Sequence, residues 1–233
     1  MAEVEAFEIR TVVVVGKTGA GKSTVANQIL GREAFKVKNV ASSVTSEVED
    51  MCSLVYDESS NTRYNFRVID TLGVFDTSLK NDAVITKIKK FFQNEAPGGV
   101  NLVLFVFRKG RFTKEERETF DYIIKHFKKE ISNYSALVLT NCDGQSDAAN
   151  QQFRQSFEDE ANDIADFMKK GIYMVGFPDL SNMRPLIKEA MEVDIKEHAK
   201  MLQKEVMKAS KKCLGKEMFE ETFWEKLWHC FIL

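Results

Sequence analysis

The residues from Val12 to Thr24 read VVVVGKTGAGKST. Gly16-Lys17-Thr18-Gly19-Ala20-Gly21-Lys22-Ser23 satisfies the pattern GxxxxGK[ST] at every position. The chemistry such a run can do is to hold phosphate. Its glycines let the backbone curl until successive N–H groups, here from Gly16 through Thr24, face the same oxygens. Lys22 would place its charge on the β- and γ-phosphates, at the seat of any phosphoryl transfer, and Ser23 would give its hydroxyl to Mg²⁺. A helix beginning at Ser23 adds the positive end of its dipole.

Three further stretches carry groups of matching chemistry. Asp70-Thr71-Leu72-Gly73 follows an apolar run. Asp70 can hold Mg²⁺ directly or through water, and the N–H of Gly73 can sense a γ-phosphate. Between this motif and the first lies Ser42-Ser43-Val44-Thr45. Thr45 is the expected second hydroxyl ligand of Mg²⁺, with Ser43 and Ser46 as rivals. Thr140-Asn141-Cys142-Asp143 follows another apolar run. A carboxylate at Asp143 can accept from both N1–H and the 2-amino group of guanine. Adenine lacks that donor pair, so one side chain can choose the nucleotide. Asp143-Gly144 is also an ordinary turn signal, and its place at a strand end favours the base-reading role.

These groups meet only if their segments are parallel strands with the motifs at one edge, where ligands bind in open α/β sheets. The pattern supplies this. Strands are predicted over Thr11 to Val15, Glu47 to Tyr56, Asn65 to Ile69, Val100 to Phe107, Ala136 to Thr140 and Ile172 to Phe177, with a turn at Asp57 to Thr62. The unbroken apolar character of Val100 to Phe107 predicts a central strand buried on both faces. Helices are predicted over Ser23 to Leu30, Lys80 to Gln93, Thr113 to Lys129 and Gln151 to Lys169, and from Ser181 almost to the end. Thr113 and Glu116 form a capping box. Alternating strands and helices predict an α/β fold, a mostly parallel sheet between helices.

Composition narrows the function. The chain has 233 residues, 44% hydrophobic and 29% charged, with net charge −2. Such a balance gives no general field for nucleic acid, so no nucleic-acid partner is expected. Cys52, Cys142, Cys213 and Cys230 form no CxxC pair, and the three histidines are not at ligand spacing. That pattern suits free thiols in a reducing, cytoplasmic setting rather than disulfides or zinc. The start MAEVEAFEIR is acidic and predicts no signal peptide.

The ordered set GKTGAGKS, SSVT, DTLG, GRFTKEE and TNCD resembles the GIMAP, or immune-associated nucleotide-binding (AIG-type), GTPases, relatives of septins. The segment LVLFVFRKGRFTKEE resembles that family's distinctive box. The resemblance covers residues 9–180. It implies a Ras-like P-loop GTPase domain, bound GTP or GDP with Mg²⁺, and a homodimer or oligomer formed through the nucleotide face. Three departures stand out. Leu72 replaces the proline of DTPG, Asn141 stands where many GTPases have lysine, and Phe177-Pro178-Asp179 stands where relatives place a base-contacting asparagine.

Hydrolysis needs a positioned water and positive charge on the transition state. Ras-type enzymes carry a glutamine just after DxxG, and here Val74-Phe75-Asp76 follows. Slow hydrolysis by the monomer is therefore expected. Arg111, or failing it Arg108, is the candidate arginine finger reaching across a dimer. After the domain, residues 181–229 read as an amphipathic helical extension. Ile195, Ala199, Leu202, Val206, Ala209 and Cys213 form an apolar stripe, and Lys196, Lys200, Lys204, Lys208 and Lys212 recur every fourth residue. Phe219, Phe223, Trp224, Leu227 and Trp228 share a helical face, and residues 230–233 read Cys-Phe-Ile-Leu. That is a C-a-a-X box in which terminal Leu favours geranylgeranylation of Cys230. With the upstream lysines as a second signal, it predicts peripheral attachment to the cytosolic face of a membrane.

Overall fold

A computed structural model describes residues 6–37, 48–71, 86–91, 98–110 and 113–215. Within them the strands are β1 (Ala6–Val15), β2 (Glu49–Asp57), β3 (Thr62–Asp70), β4 (Leu102–Arg108), β5 (Ser135–Thr140) and β6 (Ile172–Met174). The helices are α1 (Lys22–Leu30), α2 (Lys114–Lys125), α3 (Asp147–Glu160), α4 (Asn162–Phe167) and α5 (Pro185–Lys208). Residues 86–91 are also helical. The strands form one sheet in the order β2-β3-β1-β4-β5-β6, parallel throughout except for β2. β2 and β3 form a hairpin, and the Asp57 carboxylate accepts from the hydroxyls of Ser59 and Ser60 in its turn.

Each central strand is apolar on both sides because each face has its own core. Val13, Val15, Phe105, Phe107 and Leu139 point to one face, with Phe120, Ile123, Phe157 and Ile164 packed over them. Val12, Val14, Leu104, Val106 and Val138 point to the other, under Val25 and Ile29 of α1 and Leu202 and Val206 of α5. The strands cannot slip by one residue without exchanging these two sets. The phosphate-loop residues, Asp70, Arg108 and Asn141 accordingly all emerge at the carboxyl edge.

Several boundaries differ from those expected. β1 begins five residues before Thr11, with Phe7 and Ile9 exposed. α2 keeps its Thr113–Glu116 capping box but stops at Lys125. A 3₁₀ turn over Lys129–Tyr134 then buries Ile131, whose carbonyl accepts from the Ser135 hydroxyl at 2.7 Å. The helix expected from Gln151 starts at Asp147, where the Ser146 hydroxyl caps the Ala149 N–H, and it breaks at Ala161 (φ −131°, ψ 47°). β6 ends at Met174, although Val175 N–H still donates to Leu139 O at 2.8 Å, and Pro178 further on has no N–H to donate.

The stripe expected through Cys213 leaves the helix at Ala209, whose ψ is 146°. The lysines expected in water at 196, 200, 204, 208 and 212 are exposed. Beyond Ala209 the chain crosses the amino edge of the sheet. Leu214 exchanges two 2.8 Å backbone hydrogen bonds with Val100, just ahead of β4. Buried Asn101 locks the crossing: its Oδ1 accepts from Thr11 N–H at 2.7 Å and its Nδ2 donates to Ser210 O at 2.8 Å. Asn101→Ala leaves a buried strand N–H and the Ser210 carbonyl without this partner. It is expected to cost about 1–3 kcal/mol per orphaned group, read as a lower urea midpoint with unchanged slope.

Candidate nucleotide-binding site

The phosphate loop owes its shape to close backbone approach. Gly16 (φ 152°) lies against β4, and a Cβ built there would sit 2.3 Å from Val106 O. Gly21 (φ 93°) lies against Thr140, whose hydroxyl donates to Ala20 O at 2.8 Å. Lys22 is buried and its Nζ donates to Lys17 O at 3.1 Å, so the ammonium is folded across the loop that Lys17, Thr18, Gly19 and Ala20 form. The Ala20 N–H closes that loop on Lys17 O at 3.2 Å. Asn27 bonds Phe35 O, Ala34 N and Phe35 N through its side chain and pins the segment after α1.

β3 delivers Asp70 to this loop. Its Oδ2 accepts from the Ser23 hydroxyl at 2.5 Å, and the neighbouring Thr71 hydroxyl donates to Val14 O at 2.7 Å. Asp70 is buried, and its Oδ1 has no hydrogen-bond partner. Burial pushes its carboxyl above the usual aspartate range, against the opposing pull of the Ser23 hydrogen bond and the Lys22 charge. An orphaned carboxylate oxygen beside a serine hydroxyl is a hard-oxygen pair suited to Mg²⁺. Thr18 Oγ1 is likewise buried without a partner at the phosphate loop.

At the base end, Asn141 takes a left-handed conformation (φ 63°) and its Oδ1 accepts from Arg108 at 3.4 Å. Cys142 is buried under the loop, its N–H bonded to Val175 O at 3.1 Å, and burial pushes its thiol up. Asp143 next to it is half-buried. A cavity of about 900 Å³ joins the two ends. Gly19, Gly21 and Thr24 line it on the phosphate side, Asn141, Asp143 and Phe177 on the base side. The expected residues Gly16 to Thr24, Asp70, Asn141 and Asp143 are thus brought together. Thr45, Gly73, Arg111 and Cys230 lie outside the described residues.

The structure adds roles that the sequence did not assign. Thr140, the first residue of the TNCD motif, couples β5 to the phosphate loop. Lys188, Glu192 and Lys196 of α5 line the cavity, although they belong to the segment read as a separate extension. Lysines 188 and 196 lie two helical turns apart on one side of α5, the only trace of this in the sequence.

The fold and this constellation define a Ras-like P-loop nucleotide-binding domain. The chain belongs to the AIG1 family of GTPases, whose profile matches residues 10–182. It is 35% identical over 159 residues to Immune-associated nucleotide-binding protein 12 of Arabidopsis thaliana, covering 68% of this chain and 38% of the relative. Immune-associated nucleotide-binding protein 8 of the same plant is 29% identical over 170 residues, 72% of this chain and 45% of the relative. The chain spans less than half the length of these relatives. Among solved structures, a dimerization-deficient mutant of Toc33 from Arabidopsis thaliana matches with a TM-score of 0.60 at 18% identity, covering 86% of this chain and 85% of that one. Era in complex with MgGDPNP and a segment of 16S ribosomal RNA matches at 0.59 and 15%, over 93% and 62%. These likenesses are of fold.

Proposed function

We propose that the protein binds GTP and GDP with Mg²⁺ and hydrolyses GTP slowly as a monomer, faster as a dimer. The observation that carries this reading is one continuous cavity running from Gly19, Gly21 and Thr24 at the phosphate loop to Asp143 at the base loop. Gly16 to Thr24 and Gly73 would supply phosphate-facing N–H groups, and Lys22 the charge on the γ-phosphate. Ser23, Thr45 and Asp70 would hold Mg²⁺, Ser23 exchanging its bond to Asp70 for the ion. Mg²⁺ supplies charge neutralisation on the phosphates. Asp143 would read guanine, with Asn141 beside it.

Dimerization is described as important for the GTPase activity of the chloroplast translocon components atToc33 and psToc159. By analogy, the nucleotide face of this chain would meet a second copy, with Arg111 as the finger. Arg108 is the weaker candidate, because it bonds Asn141 of its own chain. No helix among the described residues is long and apolar enough to cross a membrane. Membrane attachment would be through Cys230, prenylated within Cys-Phe-Ile-Leu, with the exposed lysines of α5 against an anionic leaflet on the cytosolic side. In this reading residues 9–180 are the catalytic domain, 181–229 the extension and 230–233 the lipid signal.

GTP turnover per molecule, measured with unlipidated full chain over a wide concentration range, tests the proposal. A rate that climbs with concentration is expected, and Arg111→Ala should remove about 10³-fold or more of the gain. A rate that stays near zero at every concentration, with GTP still bound, would replace the enzyme by a nucleotide-held scaffold. The absence of a glutamine after Gly73 favours that second reading.

A further inference from the structure

We infer that His198 is a positioning residue for guanine recognition, acting through Gly176 on Asp143. The inference rests on the base-reading role proposed for Asp143.

Gly176 follows β6 and lies flat against the base loop. A Cβ built on it would sit 2.6 Å from both Asp143 N and Asp143 Cβ, and 2.8 Å from Asp143 Cα. Real side chains do not approach so closely, so Gly176 is the surface on which Asp143 rests. On its other side is α5. His198 Nδ1 lies 3.2 Å from Gly176 N and 3.3 Å from Gly176 O. One tautomer accepts from the glycine N–H and the other donates to its carbonyl, so either bonds the backbone of Gly176. The Phe177 ring, which lines the cavity, meets the His198 ring edge-on at 6.1 Å and 88°.

The far end of this arrangement is fixed. Leu202 and Val206 of α5 are buried against the sheet. Gln203 Nε2 donates to Ile29 O at 3.0 Å, near the end of the helix that follows the phosphate loop. His198 and Gln203 are five residues apart, about 7.5 Å along the helix. One rigid helix therefore spans from the phosphate-side helix to the base loop. A carboxylate that must accept two hydrogen bonds from guanine at once tolerates little displacement. The contacts from α5 to Gly176 supply that restraint.

The test compares GDP with IDP, whose base keeps N1–H and lacks the 2-amino group. Affinities of the full-length chain for both, in excess Mg²⁺, are measured by calorimetry. Wild type is expected to prefer GDP. His198→Ala should lower GDP affinity about tenfold while IDP affinity changes less than about twofold, since one charge-assisted contact is lost. His198→Asn, whose amide reaches the place of Nδ1, should recover most of the preference. His198→Gln retains bulk and polarity but extends its amide past that place, so it should show the same selective loss as alanine; it serves as well if His198→Ala fails to fold. Equal losses for GDP and IDP, or a preference unchanged in His198→Gln, would overturn the positioning role and leave Asp143 as the base reader. A wild type that binds GDP without preferring it to IDP would instead remove the base-reading assignment, and this inference with it.

Discussion

Asparagine in place of Asp70 is expected to make the nucleotide-free protein more stable while costing it most of its Mg²⁺-dependent nucleotide affinity. Asp70 is buried with one carboxylate oxygen unpartnered, and its carboxyl is shifted up by that burial. Ser23 and Lys22 offset the cost only in part. The amide keeps the acceptor for Ser23 and removes the charge. The amide NH2 then takes the place of the unpartnered oxygen, so only the cost of the buried charge is relieved, and a gain of about 1 kcal/mol is expected. For a chain of this size each kcal/mol moves Tm by roughly 2–4 °C.

The pH dependence has a definite sign. A carboxyl whose folded pKa is raised holds its proton longer when folded than when unfolded. The folded state then binds more protons across that window, and stability falls as pH rises from the ordinary aspartate range through the raised value. Wild type without nucleotide should show this slope, and Asp70→Asn should lose it. With GDP and Mg²⁺ present the order reverses, because the ion needs the anion: wild type should gain Tm and the variant should gain little. Thermal melts over pH, with and without MgGDP, check both halves. Equal MgGDP stabilisation of the two proteins would remove Asp70 from the metal site.

Gly16→Ala is expected to be far more damaging than Gly19→Ala, although both glycines belong to one loop and both have positive φ. A Cβ at Gly19 would meet nothing within 4 Å, whereas one at Gly16 would lie 2.3 Å from the carbonyl oxygen of Val106. Val106 is fully buried in β4 and paired to β5, so it cannot retreat without opening the sheet. Backbone strain costs about 1–3 kcal/mol at either glycine, and overpacking adds about 1–3 at Gly16. Gly16→Ala should therefore melt some 10 °C lower, and Gly19→Ala only a few degrees lower. Identical shifts would show that the close approach to Val106 is not what demands glycine there.

The contrast between those two positions also marks what the sequence could and could not tell. Gly16 and Gly19 fit the same pattern and look alike as letters. What separates them is β4, some ninety residues away. Continuous apolar runs made β1, β4 and β5 legible because strands buried on both faces must be apolar at every position. The motifs were legible because phosphate, Mg²⁺ and guanine each restrict the groups that can hold them. The ends of elements were harder. α2 stops where Phe127 and Ile131 must turn inward, and α5 stops where Asn101 captures Ser210, neither of which is a local signal. Ser146 is a local cap signal, five residues ahead of the start expected at Gln151. The contact of Gly176 with Asp143 and the bond to His198 have no linear signature at all, since they arise only when β6, the base loop and α5 are brought together.

The crossing near Val100 and Leu214 sets a polarity for the whole molecule. It lies at the amino end of β4, whereas the nucleotide cavity opens at the carboxyl end, beyond Arg108. Seven strand residues separate them, about 23 Å at the usual rise. Leu214 thus lies at the pole opposite the nucleotide cavity. A segment attached at this pole would leave the cavity mouth, at the far end of β4, uncovered and open to an approaching ligand or surface.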